Sequence, residues 1–124
     1  MNAAFKTYEV EERAKADQAR GFTAISFVQT HDLVMVIGGG YLEDCPNTVS
    51  VHQLKDDIWK PMKQRLNVGR SHLSACLVDT TMYAIAGRTD HGLTNSIERL
   101  PLSALQDESI PWEHIVLFEE DLKA

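Results

Sequence analysis

The sequence predicts an all-β protein made of two consecutive four-stranded antiparallel units. Short apolar or alternating segments, separated by turn residues, follow one another from Gly21 onward. The same order of segments then appears a second time, about fifty residues later. The 124 residues, 44% hydrophobic and 24% charged, suffice for one ordinary globular domain.

Charge and apolar patterning exclude several classes of function. The formal net charge is -6 and the basic residues are scattered, so a phosphate-binding face is not expected. The longest apolar run, Leu33–Ile37, is too short to span a bilayer. The first twenty residues are mostly polar and lack the apolar core of a secretory signal. We therefore expect no nucleic acid and no membrane as partner, and a cytoplasmic location with the nucleus as the alternative.

The first unit contains four predicted strands. The second of them is a β-branched run that stops at Gly38, and the third alternates apolar and polar residues. Pro61 suits an edge strand, since its missing N–H breaks no ladder there. The predicted strands are residues 22–28, 33–37, 48–54 and 58–62.

The second unit repeats this order with residues 73–78, 82–86, 96–102 and 111–115. Val28 and Val78 are 50 positions apart, whereas Gly38 and Gly87 are 49 apart. The small differences fall in turns, where insertions are tolerated. A four-strand repeat of this length is typical of a propeller blade rather than of a sandwich.

The repeated residues meet three physical demands of such a blade. The second strand is a continuous apolar run because neighbouring blades cover both of its faces. The glycine after it permits a positive φ and a close backbone approach. The tryptophan near the fourth strand supplies a large apolar plate, and its indole N–H can find a partner at the rim. We expect Val34, Val36 and Trp59 near the blade faces.

These motifs resemble kelch repeats. The motif residues are Gly38, Gly39 and Trp59 in the first copy, and Gly87 and Trp112 in the second. Arg88 departs from the pattern because it replaces the second glycine. The resemblance implies a kelch-type β-propeller fragment of two blades, with blade 1 at residues 20–69 and blade 2 at residues 70–117.

The two ends of the chain fall outside this repeat. Residues 1–19 are expected to be a lead-in or a strand of a neighbouring blade, with a short helix and disorder as alternatives that no principle decides between. Residues 118–124 read as an acidic tail.

The resemblance implies a non-enzymatic protein-protein interaction module, or scaffold. Partners of such propellers commonly contact the loops between strands and between blades, here residues 41–47, 88–95 and 63–71. The candidate partner-binding residues are Tyr41, Glu43, Asp44, Arg70, Arg88, Asp90 and His91. Tyr41 and Arg88 belong to residue types that often anchor interfaces.

Two blades cannot close a propeller, which uses four to eight. We therefore expect self-association as an oligomer, or docking with other propeller blades, to cover the open faces. The alternatives are a structural subunit of a larger multi-protein complex and a fragment of a kelch-propeller ubiquitin-ligase substrate adaptor. A part of a propeller enzyme ranks last, since such active sites gather residues from many blades.

No motif supports catalysis, a cofactor or a metal. The glycines after the second strand lack the Lys and Ser/Thr of a phosphate loop, and Glu43 stands where a dinucleotide motif has its third glycine. The five histidines are scattered without metal-ligand spacing. The two cysteines are far apart, and we expect Cys76 to be buried and Cys45 to lie in a loop.

Overall fold

The computed structural model of the protein describes residues 23–40 and 45–115. The predictions for residues 1–19 and 118–124 lie outside these ranges. So do the predicted contact residues Tyr41, Glu43 and Asp44.

Blade 1 is a four-stranded antiparallel sheet in sequence order. Its strands are β1 (Ala24–Val28), β2 (Leu33–Ile37), β3 (Val49–Gln53) and β4 (Ile58–Pro61). A 3-10 turn, Gln29–His31, joins β1 to β2, and Asp32 closes it with a left-handed φ of 52°. Every predicted strand of this unit is therefore confirmed to within two residues.

Blade 2 repeats the same antiparallel order. Its strands are β5 (Ser74–Val78), β6 (Thr81–Thr89), β7 (Gly92–Pro101) and β8 (Glu113–Ile115). A 3-10 turn, Leu102–Leu105, begins the long connection from β7 to β8. The protein is thus all-β with two four-stranded antiparallel sheets, as the sequence predicts, and no α-helix occurs in the described ranges.

The prediction of a polar loop at residues 88–95 is wrong. β6 and β7 both run through this segment and form a hairpin with Asp90 and His91 at its turn. Ala86 and Gly87 take positive φ values of 55° and 103°, and the pairing register shifts between Ile85 and Gly87. This β-bulge shifts the register by one residue, and pairing then continues past Gly87, the residue predicted to end β6.

Strand pairing assigns two faces to each blade, because successive side chains point to opposite sides of a sheet. The inner faces pack against each other in one hydrophobic core. For blade 1 the inner face includes Leu33, Met35, Ile37, Val49 and Val51, and for blade 2 it includes Leu77, Met82, Ala84, Glu98 and Leu100. The sheets approach most closely where β1 lies beside β5.

The outer faces point away from this core. On blade 1 the outer face includes Ile25, Phe27, Val34, Val36, His52 and Trp59, and on blade 2 it includes Cys76, Tyr83, Ile85, Ile97 and Arg99. Val34 and Val36 are half-buried on this side. β2 is therefore covered fully on one face only.

Cys45 lies in a loop as predicted, whereas the prediction that Cys76 is buried is wrong. Cys45 is buried, with its Sγ atom 3.6 Å from Ser71 Oγ. Cys76 is exposed because it pairs with Tyr83 on the outer face of blade 2. A residue in an apolar strand is exposed when its side chain points away from the core.

Two glycines allow the segment between the blades to approach both sheets. A Cβ at Gly38, where φ is 67°, would collide with the carbonyl oxygen of Arg70. A Cβ at Gly87 would collide with the carbonyl oxygen of Ser71 and press on Leu73. Both glycines are therefore required by positive φ and by space.

Gly87→Ala and Gly92→Ala form a matched test of this close approach. Gly92 has a similar φ of 114°, but a Cβ there meets nothing within 4 Å. Gly92→Ala should cost about 1–2 kcal/mol of backbone strain. Gly87→Ala should cost about 1–3 kcal/mol more, since the new methyl group is forced against backbone. Chemical denaturation measures both, and equal losses would contradict the close approach.

Candidate functional site

A buried ion pair fixes the segment between the two blades. Arg70 lies in this segment with its side chain 0% exposed, and its Nη2 atom donates to Glu98 Oε2 of β7 at 3.0 Å. Nη1 donates to the carbonyl oxygens of Ala86 at 3.1 Å and Ser96 at 3.0 Å. Burial lowers the pKa of the Arg70 guanidinium, and the charge of Glu98 opposes that shift.

Glu98 also holds the backbone of the same segment. Its Oε1 accepts the N–H of Asn67 at 2.6 Å, and its Oε2 accepts the N–H of Val68 at 3.0 Å. The Asn67 side chain donates to Glu98 Oε1 and to the carbonyl oxygen of Trp112. One carboxylate therefore binds a cation and two backbone donors of the inter-blade segment.

Arg70, a predicted partner-contact residue, is buried, and its contact with a partner stays a prediction. Its side chain donates hydrogen bonds to Val68, Ala86, Ser96 and Glu98 and is 0% exposed. Its place in an inter-blade loop had favoured a partner contact. Its guanidinium instead lies in the interior, where it forms an ion pair with Glu98.

Backbone hydrogen bonds draw the loops of both blades to one end of the molecule. Gly39 N–H donates to the carbonyl oxygen of Arg70 at 2.8 Å. Ser71 and Arg88 exchange backbone hydrogen bonds of 2.9 and 2.8 Å. Asp90 Oδ1 accepts the N–H of Cys45 at 3.1 Å. We call this cluster the loop end, formed by residues 38–40, 45, 70–72 and 88–93.

The loop end holds four of the predicted contact residues: the buried Arg70, and Arg88, Asp90 and His91. Arg88 is half-buried in β6, while Asp90 and His91 are exposed at the hairpin turn. Thr89 Oγ1 accepts the N–H of His91 at 3.1 Å and stabilises that turn. Whether these residues bind a partner stays a prediction. The motif glycines Gly38 and Gly39 lie beside them but are buried.

Sequence reasoning missed two features of the loop end. Leu93 pairs with Arg88 across the hairpin and is 89% exposed. An apolar residue inside a polar segment was the available signal. The second feature is a contact between sequence neighbours, because His72 Nδ1 lies 3.1 Å from Ser71 Oγ. His72 has a positive φ of 53°.

The two motif tryptophans occupy equivalent positions with different burial. Trp59 pairs with His52 on the outer face of blade 1, and their rings lie 4.7 Å apart. Trp112 is only 2% exposed and belongs to the core between the blades. Its Nε1 atom is buried without a hydrogen-bond partner within the described ranges, so the expected partner at the rim is not found.

No metal-binding cluster appears in the part of the chain that the structure describes, because no three His, Cys, Asp or Glu side chains there converge suitably. Nor do residues 23–40 and 45–115 include a helix of the length and apolar character needed to cross a bilayer. The carboxylate of Asp90 in the loop end accepts a hydrogen bond from the backbone N–H of Cys45.

Comparison with known proteins agrees with this architecture. No protein-family model matches the chain. The chain is 34% identical over 96 residues to Kelch-like protein 40 of Xenopus laevis. That match covers 76% of this chain, which spans 15% of the length of that relative. The similarity points to the kelch-repeat family.

Arg70→Met should destabilise the fold by about 3–5 kcal/mol, because it leaves the Glu98 carboxylate buried without a counter-charge. Arg99→Met is the matched control. Arg99 Nη2 and Glu113 Oε1 form a 2.9 Å pair that lies at the surface, where solvent screens it. Thermal and urea unfolding compare the variants. Similar losses for both would show that the Arg70 pair does not hold the blades together.

Proposed function

We propose that the chain is a non-enzymatic protein-protein interaction module built from two kelch repeats. It binds partners through the loop end and needs other blades, or copies of itself, to complete a propeller. The similarity to a kelch-like protein and the two four-stranded sheets support this proposal. We place the module in the cytoplasm, with the nucleus as the alternative.

The observation that carries the proposal is the unequal burial of equivalent residues. Phe27 pairs with Val34 in blade 1 as Leu77 pairs with Met82 in blade 2. Blade 1 covers Leu77, which is half-buried, whereas Phe27 is 50% exposed. Ile25 beside it is 67% exposed. The outer face of blade 1 thus has the pattern of a face that another blade covers.

The tryptophans show the same difference. Trp112 is buried in the core between the blades, but Trp59, in the equivalent position of blade 1, is only half-buried. A blade packed on the outer face of blade 1 would bury Trp59 as blade 1 buries Trp112. Covering exposed apolar area of this kind stabilises an assembly by about 25 cal/mol per Å².

The loop end supports the partner-binding part of the proposal. It combines a cation, an exposed carboxylate and an exposed apolar side chain: Arg88, Asp90 and Leu93. Such a mixture gives directed polar contacts beside an apolar anchor. The hairpin that carries these residues is held by Ser71 and by Cys45, so they are positioned before a partner arrives.

A structural subunit of a larger complex is the second candidate, because it also needs covered blade faces. A fragment of a substrate adaptor of a ubiquitin ligase is a more specific form of the first candidate, the protein-protein interaction module. Affinity purification separates them: a stable stoichiometric set of neighbours favours the structural subunit, and a transient client favours the adaptor.

Phe27→Glu should weaken association of the chain, with itself or with other blades, about tenfold to hundredfold, since burying an aromatic side chain contributes about 1.5–3 kcal/mol. Ile58→Glu is the matched control, since Ile58 is 46% exposed but pairs with Gln53 on the opposite side of the sheet. Sedimentation equilibrium provides the measurement. A wild-type chain that stays monomeric and binds no apolar dye would overturn the need for other blades.

Arg88→Ala should reduce capture of a partner in a pull-down several-fold, because Arg88 lies at the loop end. Tm should be nearly unchanged, because the Arg88 side chain is only half-buried. Lys55→Ala is the control, since Lys55 lies in the β3–β4 turn at the other end of the sheet. Equal capture by both variants would remove the loop end as the partner surface.

A further inference from the structure

A cleft between the two blades lies near the start of β2 and the end of β3. We call it the inter-blade cleft. Its volume of about 320 Å³ falls in the lower part of the range of ligand pockets, about 300–1,000 Å³. The inner face of blade 1 supplies one wall, and the connection from β7 to β8 supplies the other. Both walls belong to the two described blades, so the cleft has the same walls whatever flanks this pair.

Four apolar side chains line the inter-blade cleft. Leu33 and Val51 of blade 1 are buried, whereas Met62 and Leu105 are half-buried. A ligand in the cleft therefore gains binding free energy by burying an apolar part against these side chains.

Two polar side chains of the lining hold the walls of the cleft together. Lys63 Nζ lies 3.1 Å from Glu108 Oε2 of the β7–β8 connection. Gln64 Nε2 donates to the carbonyl oxygens of Ala104 at 2.8 Å and Asp107 at 3.1 Å. The ammonium of Lys63 and the amide N–H groups of Gln64 thus already have partners in the protein.

A second lysine and a second glutamine of the lining have no such partners. Lys60 pairs with Val51 and Gln53 pairs with Leu33, so both side chains lie on the inner face of blade 1. Within the described residues, Lys60 forms no ion pair and the Gln53 side chain makes no hydrogen bond. The cleft therefore combines one unpaired ammonium and one unpaired carboxamide with an apolar surface.

The charge of the lining favours a ligand with a single negative charge. The charges of Lys63 and Glu108 compensate each other, which leaves the positive charge of Lys60. His31, the other titratable residue of the lining, is exposed, and its Nδ1 lies 2.9 Å from Thr30 Oγ1. One ammonium and one amide N–H suit the two oxygens of a carboxylate, whereas the oxygens of a phosphate dianion require more donors.

We propose that the inter-blade cleft binds a small organic acid that carries one carboxylate and a short apolar tail. The ammonium of Lys60 and the amide N–H of Gln53 bind the carboxylate, and the tail packs against Val51 and Leu105. This site is separate from the loop end and from the outer face of blade 1. Its failure therefore leaves the proposed function untouched, since that function is tested at Phe27 and Arg88.

Titration of the full wild-type chain with hexanoate tests this site. Amide chemical shifts should move saturably at Val51, Gln53 and Leu105. Hexanamide has a tail of the same length without the charge, and it should bind about tenfold more weakly, because a hydrogen bond to a charged group contributes more than one to a neutral group. Inorganic phosphate should leave these amides unshifted, because it has no tail to bury.

Lys60→Met should weaken hexanoate binding about tenfold, because it removes the charge but keeps an unbranched apolar side chain. Lys55→Met is the matched control, since Lys55 lies in the β3–β4 turn and does not line the cleft. At about 0.15 M salt the Debye length is about 8 Å, so Lys55→Met should change the affinity by less than about twofold. Gln53→Leu should weaken binding about threefold to tenfold. The Tm of each variant verifies that it folds.

The proposal fails on any of three results. Absence of saturable shifts at Val51 and Leu105 would mean that the cleft accepts no such acid. Equal affinity for hexanoate and hexanamide would show an apolar cleft that does not recognise a carboxylate. Equal losses for Lys60→Met and Lys55→Met would show that the general surface charge, rather than Lys60, attracts the acid.

Discussion

The buried pair of Arg70 and Glu98 is the constraint on which the two-blade arrangement depends. The inter-blade segment carries backbone donors that must be paired once the two sheets close over it. Glu98 accepts two of them directly and also binds the guanidinium. The guanidinium in turn occupies the carbonyl oxygens of Ala86 and Ser96. A single charged pair thereby binds two backbone N–H groups of the segment and joins the segment to β6 and β7.

The glycines and this ion pair act on the same few residues. Gly38 approaches the segment from blade 1 and Gly87 approaches it from blade 2, each where a side chain would collide with a carbonyl oxygen. Arg70, Ser71 and Leu73 of the segment are consequently buried between the sheets. The turn at Asp90 and His91 remains at the surface. Hydrogen bonds from Ser71 to Arg88 and from Cys45 to Asp90 fix its position. A rigid base of this kind lowers the cost of ordering a binding surface.

Blade geometry separates two kinds of binding. The inner sheet faces bury apolar area against each other, whereas the loop end presents a few directed polar groups. The outer face of blade 1 is apolar near β1, where Ile25 and Phe27 are exposed, and polar but buried near Ser50 and His52. On blade 2 the outer face is bordered by a charged pair. The two outer faces therefore differ in chemistry, and this difference favours distinct neighbours over identical ones.

The sequence alone determined the number of strands, their order and most of their ends, because the alternation of apolar residues and the turn residues are local properties of the chain. It did not determine burial. Cys76 is exposed because the face toward which a strand side chain points depends on the register between strands, whereas Arg70 is buried because Glu98 of β7 binds its guanidinium. Only the tertiary structure paired Arg70 with Glu98, 28 positions away, and only the bulge at Ala86 decided that residues 88–95 form a hairpin. Contacts between distant segments leave no local pattern in the chain that forms them.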